Sequence, residues 1–453
     1  AWSYGLLEPA EQRLFAGLST FVGGWTLEAA EAVANPDGEV GLDTLDALGS
    51  LLDKSLIRRE SIPGGRRFDM LETIREFGRD VLAEAGEEDR TRRSHLSYFL
   101  ALAETAAPHL LGRDPGWLDR LEREHANLRA ALRRAIQTGE AESGLRMAGA
   151  LWRFWLMRGH LAEGRRWTDE VLAMPEAAAR TVGRARGLSA KAGLAYWQQE
   201  PAAAVRGPYE ESLAIAVELR DRGAEADAAY NLSFAHQLAG DLDGAGELLR
   251  RAADLYREPG DDVNLAFVDT ALATVALRRG DREEARALFD EAYRTFRRVG
   301  HLWGVIQAAG GTAVLAIRDG DVQRARRAAM ETLDANETLG HKLGISVAIQ
   351  TLAMVAIHEG RPEVAVRLAG AVDRIREDAG DEAPPTAVGI DDPRDAARAL
   401  LADERIDELF AEGRTMSIDE AVALAREAAP QAERNLTRSS DTVTDGPRLF
   451  APE

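Results

Sequence analysis

The residues best suited to acid–base or metal chemistry are eight histidines scattered among abundant carboxylates. No two histidines have the H-E-x-x-H spacing that places both imidazoles on one helical face for zinc. The chain has no cysteine, which removes thiolate ligands and a cysteine nucleophile, and it has no G-x-S-x-G motif. We therefore predict no catalytic residue and no metal site, and we expect that the chain is not an enzyme.

The types and number of the basic residues disfavour both nucleotide-phosphate binding and DNA binding. Only three are lysines (Lys54, Lys191 and Lys342), and none follows a glycine, so a G-x-x-x-x-G-K-[ST] phosphate loop is excluded. Acidic residues outnumber basic ones 76 to 56, giving a net charge of −20 that opposes binding to a phosphate backbone. No apolar run is long enough for a membrane span and no signal peptide is present, which predicts a cytoplasmic protein without membrane contact.

The elements that would position a binding site follow a repeat. Helix-ending turns recur every 40 residues at Gly240, Gly280, Gly320 and Gly360, with a further copy at Gly159 and a degenerate one at Glu200. A small residue lies seven positions before the degenerate turn and before each of the four regular ones, from Gly193 to Ala353, and Ala245, Ala285, Ala325 and Ala365 lie five positions after the four regular glycines. Small residues at a fixed phase permit close helix packing, and glycine supplies the left-handed backbone between two helices.

Each unit therefore reads as a helical hairpin whose apolar face is buried by its neighbours. The first helices are predicted at residues 226–239, 266–279, 305–319 and 345–359. The unit resembles the tetratricopeptide repeat, although its period is 40 residues. We predict a mainly α fold in which about six such hairpins, over residues 144–379, form a right-handed α-solenoid.

The first 90 residues have a different pattern. Three amphipathic stretches (9–18, 26–34 and 42–52) precede two short runs around Pro63-Gly64-Gly65, and a further helix starts near Glu72. Three helices followed by a hairpin predict a winged helix over residues 1–90. Residues 91–143 then form a helical bridge, residues 380–428 a C-terminal helical cap and residues 429–453 a polar, disordered tail.

The hairpin region of this winged helix is locally basic. Lys54, Arg58, Arg59, Arg66 and Arg67, set against Glu60, give it a charge of +4. Two interpretations stay open, since these side chains could contact either DNA or another domain of the same protein.

Several long motifs resemble one family. They are Leu6-Leu7-Glu8-Pro9, Phe21-Val22-Gly23-Gly24-Trp25, Asp53-Lys54-Ser55-Leu56, Leu71-Glu72-Thr73-Ile74-Arg75-Glu76-Phe77, Glu124-His125-Ala126-Asn127-Leu128 and Gly413-Arg414-Thr415-Met416. Together they are similar to the C-terminal part of actinobacterial regulatory ATPases of the signal-transduction ATPase with numerous domains (STAND) class, AfsR- and LuxR-like. The resemblance covers roughly residues 1–425.

In that family a nucleotide-binding domain precedes the winged helix, and the winged helix packs against it. The resemblance implies that ATP or ADP binds in that domain, that this domain is a partner of the chain, and that the chain itself holds no cofactor. A family Met-His-Asp motif matches Met70, Leu71 and Glu72. Leucine cannot donate a hydrogen bond to a phosphate, so we expect Leu71 to be a packing residue.

The positions of the repeat that are expected to face inward predict a groove for an effector or partner. Its side chains are Trp197, Gln198, Tyr230, Phe234, Gln237, Arg278, Gln307, Arg318, Gln350 and His358. Aromatic, amide and guanidinium groups suit a peptide, a protein or a small molecule. The sequence thus predicts the sensor region of a STAND-type transcriptional regulator, in which the winged helix couples ligand binding to an ATPase domain. The alternatives are a stand-alone interaction scaffold and a DNA-binding winged helix with a repeat-based ligand sensor.

Overall fold

A computed structural model describes residues 3–36, 43–62, 65–112, 114–378 and 390–427. The chain divides into two compact units, the first comprising Ala1–Val275 with Arg298–Leu302 and the second Ala276–Arg297 with Trp303–Glu453. We call them unit 1 and unit 2. The predicted disordered tail, residues 429–453, and the start of the predicted cap, residues 380–389, lie outside the described residues. Within the described ranges, no helix is long and apolar enough to cross a membrane.

Unit 1 begins with a winged helix. Its elements are α1 (Pro9–Leu18), α2 (Leu27–Ala34), α3 (Thr44–Asp53), β1 (Arg58–Ile62), β2 (Gly65–Asp69) and α4 (Glu72–Glu84). The two strands are antiparallel, with Arg59 opposite Phe68. Trp25 adds a third partner, because it and Phe68 exchange both backbone hydrogen bonds at 2.8 Å. The predicted winged helix is confirmed, although Pro63 and Gly64 of its predicted turn lie outside the described residues.

Local sequence explains where these helices begin. Thr26 accepts a hydrogen bond from the Ala29 N–H, and Asp43 accepts from the N–H groups of Leu45 and Asp46. Each cap satisfies donors that the first helical turn leaves free. Leu14, Phe15, Phe21 and Trp25, all fully buried, form the core beneath the helices.

The bridge and the first hairpins complete unit 1. The helices are α5 (Glu88–Ala106), α6 (Gly116–Arg123), α7 (His125–Gln137), α8 (Ala141–Arg158), α9 (Leu161–Leu172), α10 (Val182–Trp197), α11 (Ala202–Leu219), α12 (Arg222–Leu238), α13 (Leu242–Arg257) and α14 (Asp262–Arg279), of which the part up to Val275 belongs to unit 1. Helices α5 and α7 pack on α8, which packs on α10, and the sequence continues through α11 and α12 to α13. Each hairpin therefore buries its apolar face against the next one.

The repeated Gly-Asp pair ends one helix and starts the next. Gly240 has a φ of 80°, and Gly159, Gly280, Gly320 and Gly360 also have positive φ. After Gly240, Gly280 and Gly320 an aspartate follows and caps the second helix, as Asp241 does by accepting from the Gly244 N–H at 2.9 Å. In the degenerate copy Gln199 takes the left-handed position, with a φ of 56°.

The remaining helices are α15 (Arg282–Val299), α16 (Leu302–Asp319), α17 (Val322–Leu339), α18 (Lys342–His358), α19 (Pro362–Asp378), α20 (Pro393–Ala397), α21 (Asp403–Arg414) and α22 (Ile418–Glu427). In unit 2, α18 packs between α17 and α19, and α20 and α22 also contact it. Helices α19 and α21 cross at Gly370 and Gly413, whose Cα atoms leave no room for a side chain. The mainly α fold of winged helix and helical hairpins is confirmed, but α12, α14, α16 and α18 begin three or four residues before their predicted starts.

Candidate ligand-binding surface

A row of aromatic rings runs along the first helices of successive hairpins in unit 1. Ring centroids are separated by 5.7 Å for Tyr196–Trp197, 5.5 Å for Tyr196–Phe234, 5.1 Å for Tyr230–Phe234, 6.4 Å for Tyr230–Phe267 and 5.2 Å for Phe267–His301. All six side chains are half-buried. Tyr230 and Phe234 pack against the core between α12, α13 and α14. Their remaining area is open to solvent, so they line a surface and also belong to the rim of the core.

Arg153 of α8 belongs to the same surface. Its guanidinium carbon lies 4.0 Å from the centroid of the Trp152 ring, a cation–π contact. Trp152 in turn lies against α10 at Gly193, where a Cβ would be 2.9 Å from the indole. We call Trp152, Arg153, Tyr196, Trp197, Tyr230, Phe234, Phe267 and His301 the aromatic surface of unit 1.

The charge of Arg153 acts on groups from several helices. Burial raises the pKa of Tyr209 and of Tyr230, and the nearby Arg153 opposes that rise in both. Burial lowers the pKa of His301, and Arg153 lowers it further. Residues of α8, α11, α12 and the segment before α16 therefore lie near one another, which leaves Arg153 surrounded by protein yet half-exposed.

Asp227 is a carboxylate whose charge acts on Arg153. Tyr256 donates its hydroxyl hydrogen to the Asp227 Oδ1 at 2.5 Å. Burial raises the pKa of Asp227, and the hydrogen bond from Tyr256 and the charge of Arg153 counteract this rise. The carboxylate already has a strong partner and forms no ion pair with the arginine.

The ten predicted groove residues fall into both units. In unit 1, Trp197, Tyr230 and Phe234 lie on the aromatic surface, and Gln198 accepts from the Arg165 Nη1 at 3.4 Å. In unit 2, Gln307 is half-buried, Arg278 and Arg318 are exposed near helix ends, and His358 Nδ1 lies 2.9 Å from the Met354 carbonyl oxygen. Their placement as a ligand groove stays a prediction.

Two of the predicted groove residues are not open to a ligand. Gln237 is 6% exposed because it follows the small residue Ser233 by one helical turn and shares its packing face. Gln350 is 1% exposed because α18 is enclosed by α17, α19, α20 and α22. The repeat phase alone does not reveal these extra helices. Conversely, Arg153 lies at the same position of the repeat as Phe234, which is 81 residues later in the chain. Extending the repeat back to α8 would have identified Arg153.

The five predicted wing cations divide into exposed and internal groups. Arg58, Arg59 and Arg66 are exposed. Lys54 hydrogen-bonds to the Ser50 hydroxyl and lies 3.7 Å from the Glu11 Oε1. Arg67 is 5% exposed and pairs with Glu124 of the bridge, so its guanidinium faces the protein interior and is not available to DNA.

A buried polar network joins the wing to the bridge. The Arg67 Nη2 donates to the Glu124 Oε2 at 3.1 Å and to the carbonyl oxygens of Gly23 at 2.8 Å and Gly24 at 3.2 Å. Asn127, which is fully buried, accepts from the Val22 N–H at 2.7 Å and donates to Glu124 at 2.8 Å. These contacts hold β2 and the loop before α2 against α7.

Leu71, at the position matching the family's histidine, is 40% exposed. The expectation that it is a packing residue is wrong, because it precedes the first turn of α4 and its side chain projects to the surface. On α3, Leu45 is likewise 47% exposed. The winged helix thus presents isolated apolar side chains to the solvent.

Within the described ranges, one group of side chains has atoms close enough to hold a metal ion, namely Glu122, His125 and His160, whose ligand atoms lie within 4.8 Å of one another. Protein partners already occupy much of this group. His160 Nε2 is 3.2 Å from the Glu122 carboxylate, and His125 Nε2 is 3.2 Å from Glu163. Burial lowers the pKa of His125. The absence of a metal site stays a prediction.

Residues 7–83 match the model of a winged helix-turn-helix domain family. The chain is 35% identical over 229 residues to the "Putative HTH-type transcriptional regulator Rv0890c" of Mycobacterium tuberculosis (strain ATCC 25618 / H37Rv), a match that covers 49% of this chain and 26% of that protein. A second match, 35% identical over 89 residues, is to "Uncharacterized protein Rv0894" of the same strain and covers 19% of this chain and 23% of that one. This chain therefore spans about a quarter of the length of these relatives.

Among solved structures, the chain is similar to a STAND protein with a tetratricopeptide repeat sensor from Pyrococcus horikoshii. The identity is 14% and the TM-score 0.48, and the alignment covers 96% of this chain and 65% of that one. The family model and the mycobacterial relatives together establish a winged helix domain and homology to proteins named as HTH-type transcriptional regulators.

Proposed function

We propose that this chain is the sensor region of a transcriptional regulator, with the aromatic surface of unit 1 as the site that binds an effector. The observation that carries the proposal is a row of half-buried rings near Arg153, an arginine that forms no ion pair with the described residues. Such a surface combines apolar area with an oriented donor, which is the composition of ligand and peptide sites. The chain is proposed to bind and relay, and not to catalyse.

The relay would run through the bridge. Helix α8 carries Trp152 and Arg153, and it packs against α5 and α7. Helix α7 carries Asn127, which together with Glu124 forms the buried network that holds Arg67 of the wing. A ligand that shifts α8 therefore acts on the same helices that fix the wing, which gives the coupling a continuous physical route.

We further propose that the winged helix contacts a protein domain and does not read bases. Helix α3, the second helix of the helix-turn-helix pair, contains no Arg, Lys, Asn or Gln, the side chains that read base edges. Its exposed residues include Leu45, Asp46 and Asp53, which are apolar or acidic. The proposed partner is a nucleotide-binding domain of the same parent protein, which would hold ATP or ADP.

A specific observation favours the alternative of DNA binding. Arg58, Arg59 and Arg66 are exposed, and none of them forms an ion pair with another described residue. Wing cations of this kind contact phosphates without reading sequence. Their number is small, so any binding through them alone would be weak and strongly dependent on salt.

A gel-shift assay of the full chain separates these two roles. We expect no shift of mixed-sequence duplex DNA at physiological salt, and no difference between the wild type and the triple variant Arg58→Gln, Arg59→Gln, Arg66→Gln. A salt-sensitive shift that the triple variant loses would instead establish a DNA contact by the wing.

The effector site is tested by comparing what co-purifies with the chain. Wild type and Phe267→Ala are incubated with extract of the source organism, washed, denatured and analysed by mass spectrometry. Leu238→Ala is the matched control, since Leu238 lies at the end of α12 and is 46% exposed. We expect a compound or peptide retained by the wild type and the control but lost from Phe267→Ala. Retention by all three would place binding elsewhere, and retention of only whole proteins would favour the scaffold alternative.

A further inference from the structure

The guanidinium of Arg153 is a cation that the described part of the protein leaves without a counter-ion. No carboxylate of the described residues lies within 4.0 Å of it, and it makes no hydrogen bond to them. Arginine stays charged at any accessible pH. A positive charge held among protein atoms without a partner costs free energy that a bound anion would recover.

The nearest carboxylate does not form an ion pair with this cation. Asp227 acts on Arg153 only at a distance, and its Oδ1 is engaged by the Tyr256 hydroxyl at 2.5 Å. Burial lowers the pKa of His301, which keeps the imidazole neutral. Of the eight side chains of the aromatic surface, only that of Arg153 is therefore charged, and it pairs with no carboxylate of the described residues, which leaves it available to one anionic group of a ligand.

The contact with Trp152 places the guanidinium over an indole. The guanidinium carbon lies 4.0 Å from the ring centroid, and the arginine stays half-exposed. A planar guanidinium fork matches a carboxylate, which accepts two parallel hydrogen bonds.

We propose that Arg153 binds the carboxylate of the effector, with an apolar or aromatic part of the same ligand against Tyr230 and Phe267. This assignment rests on the proposed sensor function and adds the chemical class of the ligand. Two sources share that chemistry, namely the free C-terminus of a peptide and a small aromatic carboxylic acid.

The test compares free acids with their amides, which differ in the anionic group alone. The probes are N-acetyl-phenylalanine with its amide, the tripeptide Ala-Ala-Phe with a free or amidated C-terminus, and inorganic phosphate. Binding to the full chain is measured by saturation-transfer NMR, which detects weak ligands, and affinities follow from titration. The variants are Arg153→Gln and Arg153→Lys. Arg166→Gln is the matched control, because Arg166 also lies over an indole, 4.9 Å from the Trp167 centroid, but on α9.

We expect at least one free acid to bind tenfold or more tightly than its amide, because charged hydrogen bonds are the strong ones. The ratio should fall to about one in Arg153→Gln, persist in part in Arg153→Lys and stay unchanged in Arg166→Gln. Whether the tripeptide or the acetylated amino acid shows the larger ratio distinguishes the two sources.

Three results would overturn the assignment. The first is the absence of an acid–amide difference in the wild type, whether both probes bind or neither does. The second is a difference that persists in Arg153→Gln, and the third is inorganic phosphate displacing the acid at equal concentration. If Phe267→Ala loses the acid and the amide alike while the wild type binds both equally, the carboxylate assignment fails but the proposed sensor function stands.

Discussion

The buried pair between Arg67 and Glu124 offers a quantitative test of how the wing is held. Both residues are 5% exposed, and Arg67 also donates to the carbonyl oxygens of Gly23, Gly24 and Arg123. In Arg67→Met the Glu124 carboxylate stays buried with Asn127 as a remaining donor at 2.8 Å. Leaving one partner of a buried pair uncompensated costs about 3–5 kcal/mol.

The assay is native-state hydrogen exchange of the full chain, read at the backbone amides of Trp25 and Phe68. These amides bond to each other's carbonyl oxygens at 2.8 Å, next to the network. A loss of about 3 kcal/mol in opening free energy accelerates their exchange by roughly a hundredfold or more. Arg66→Met is the matched control, since Arg66 is the exposed neighbour on the same strand and its loss should change stability by less than about 0.5 kcal/mol.

A second variant separates charge from packing. In Arg67→Met with Glu124→Met no uncompensated charge remains, so we expect a smaller loss than in Arg67→Met alone. Equal exchange rates in Arg67→Met and Arg66→Met would refute the conclusion that this network holds the wing to the bridge.

Three further predictions concern stability. Burial lowers the pKa of His95 to about 4, so the unfolded state binds one more proton than the folded state between pH 6.5 and 4, and the free energy of unfolding of unit 1 falls as the pH falls through this range. In His95→Gln this decrease should be smaller by about 1.4 kcal/mol per pH unit. Urea titrations that show the same slope in both proteins would count against the prediction. Gly370→Ala should destabilise unit 2 by about 1–3 kcal/mol, because the added Cβ would lie 2.2 Å from the Phe410 carbonyl oxygen. Gly310→Ala is the control in thermal unfolding, since its Cβ would have no neighbouring atom within 4 Å, and it should be neutral or stabilising. Arg153→Met should keep or raise the melting temperature, since an unpaired charge is removed, and a loss above about 2 kcal/mol would show a structural role.

Much of the repeat could be predicted because its signals are local. A glycine that must adopt positive φ and an aspartate that caps the next helix lie side by side, as at Gly240 and Asp241, and both recur at a fixed period. The winged helix was predictable for the same reason, since the caps at Thr26 and Asp43 and the order of its elements are visible in the sequence.

The candidate site was harder to predict because its contacts are long-range. The sequence groups Arg67 with four other cations of the wing, and only the fold reveals its pairing with Glu124, 57 residues later in the chain. Arg153 is not among the predicted groove residues, because identifying it requires extending the repeat through α8 to α11, whose hairpins are irregular. Gln350 was misplaced because packing of α20 and α22 on α18 has no signal within the repeat.

The proposed relay from the aromatic surface to the winged helix is tested most directly by hydrogen exchange on the full chain with and without the compound that co-purifies with it. We expect protection in α8, α10 and α12 around the aromatic surface, together with altered exchange in α5, α7 and β2, which the buried network connects. Both effects should disappear in Phe267→Ala. Protection confined to the wing, or protection of the aromatic surface with no change in α5, α7 or β2, would contradict the proposal that binding there is relayed to the winged helix.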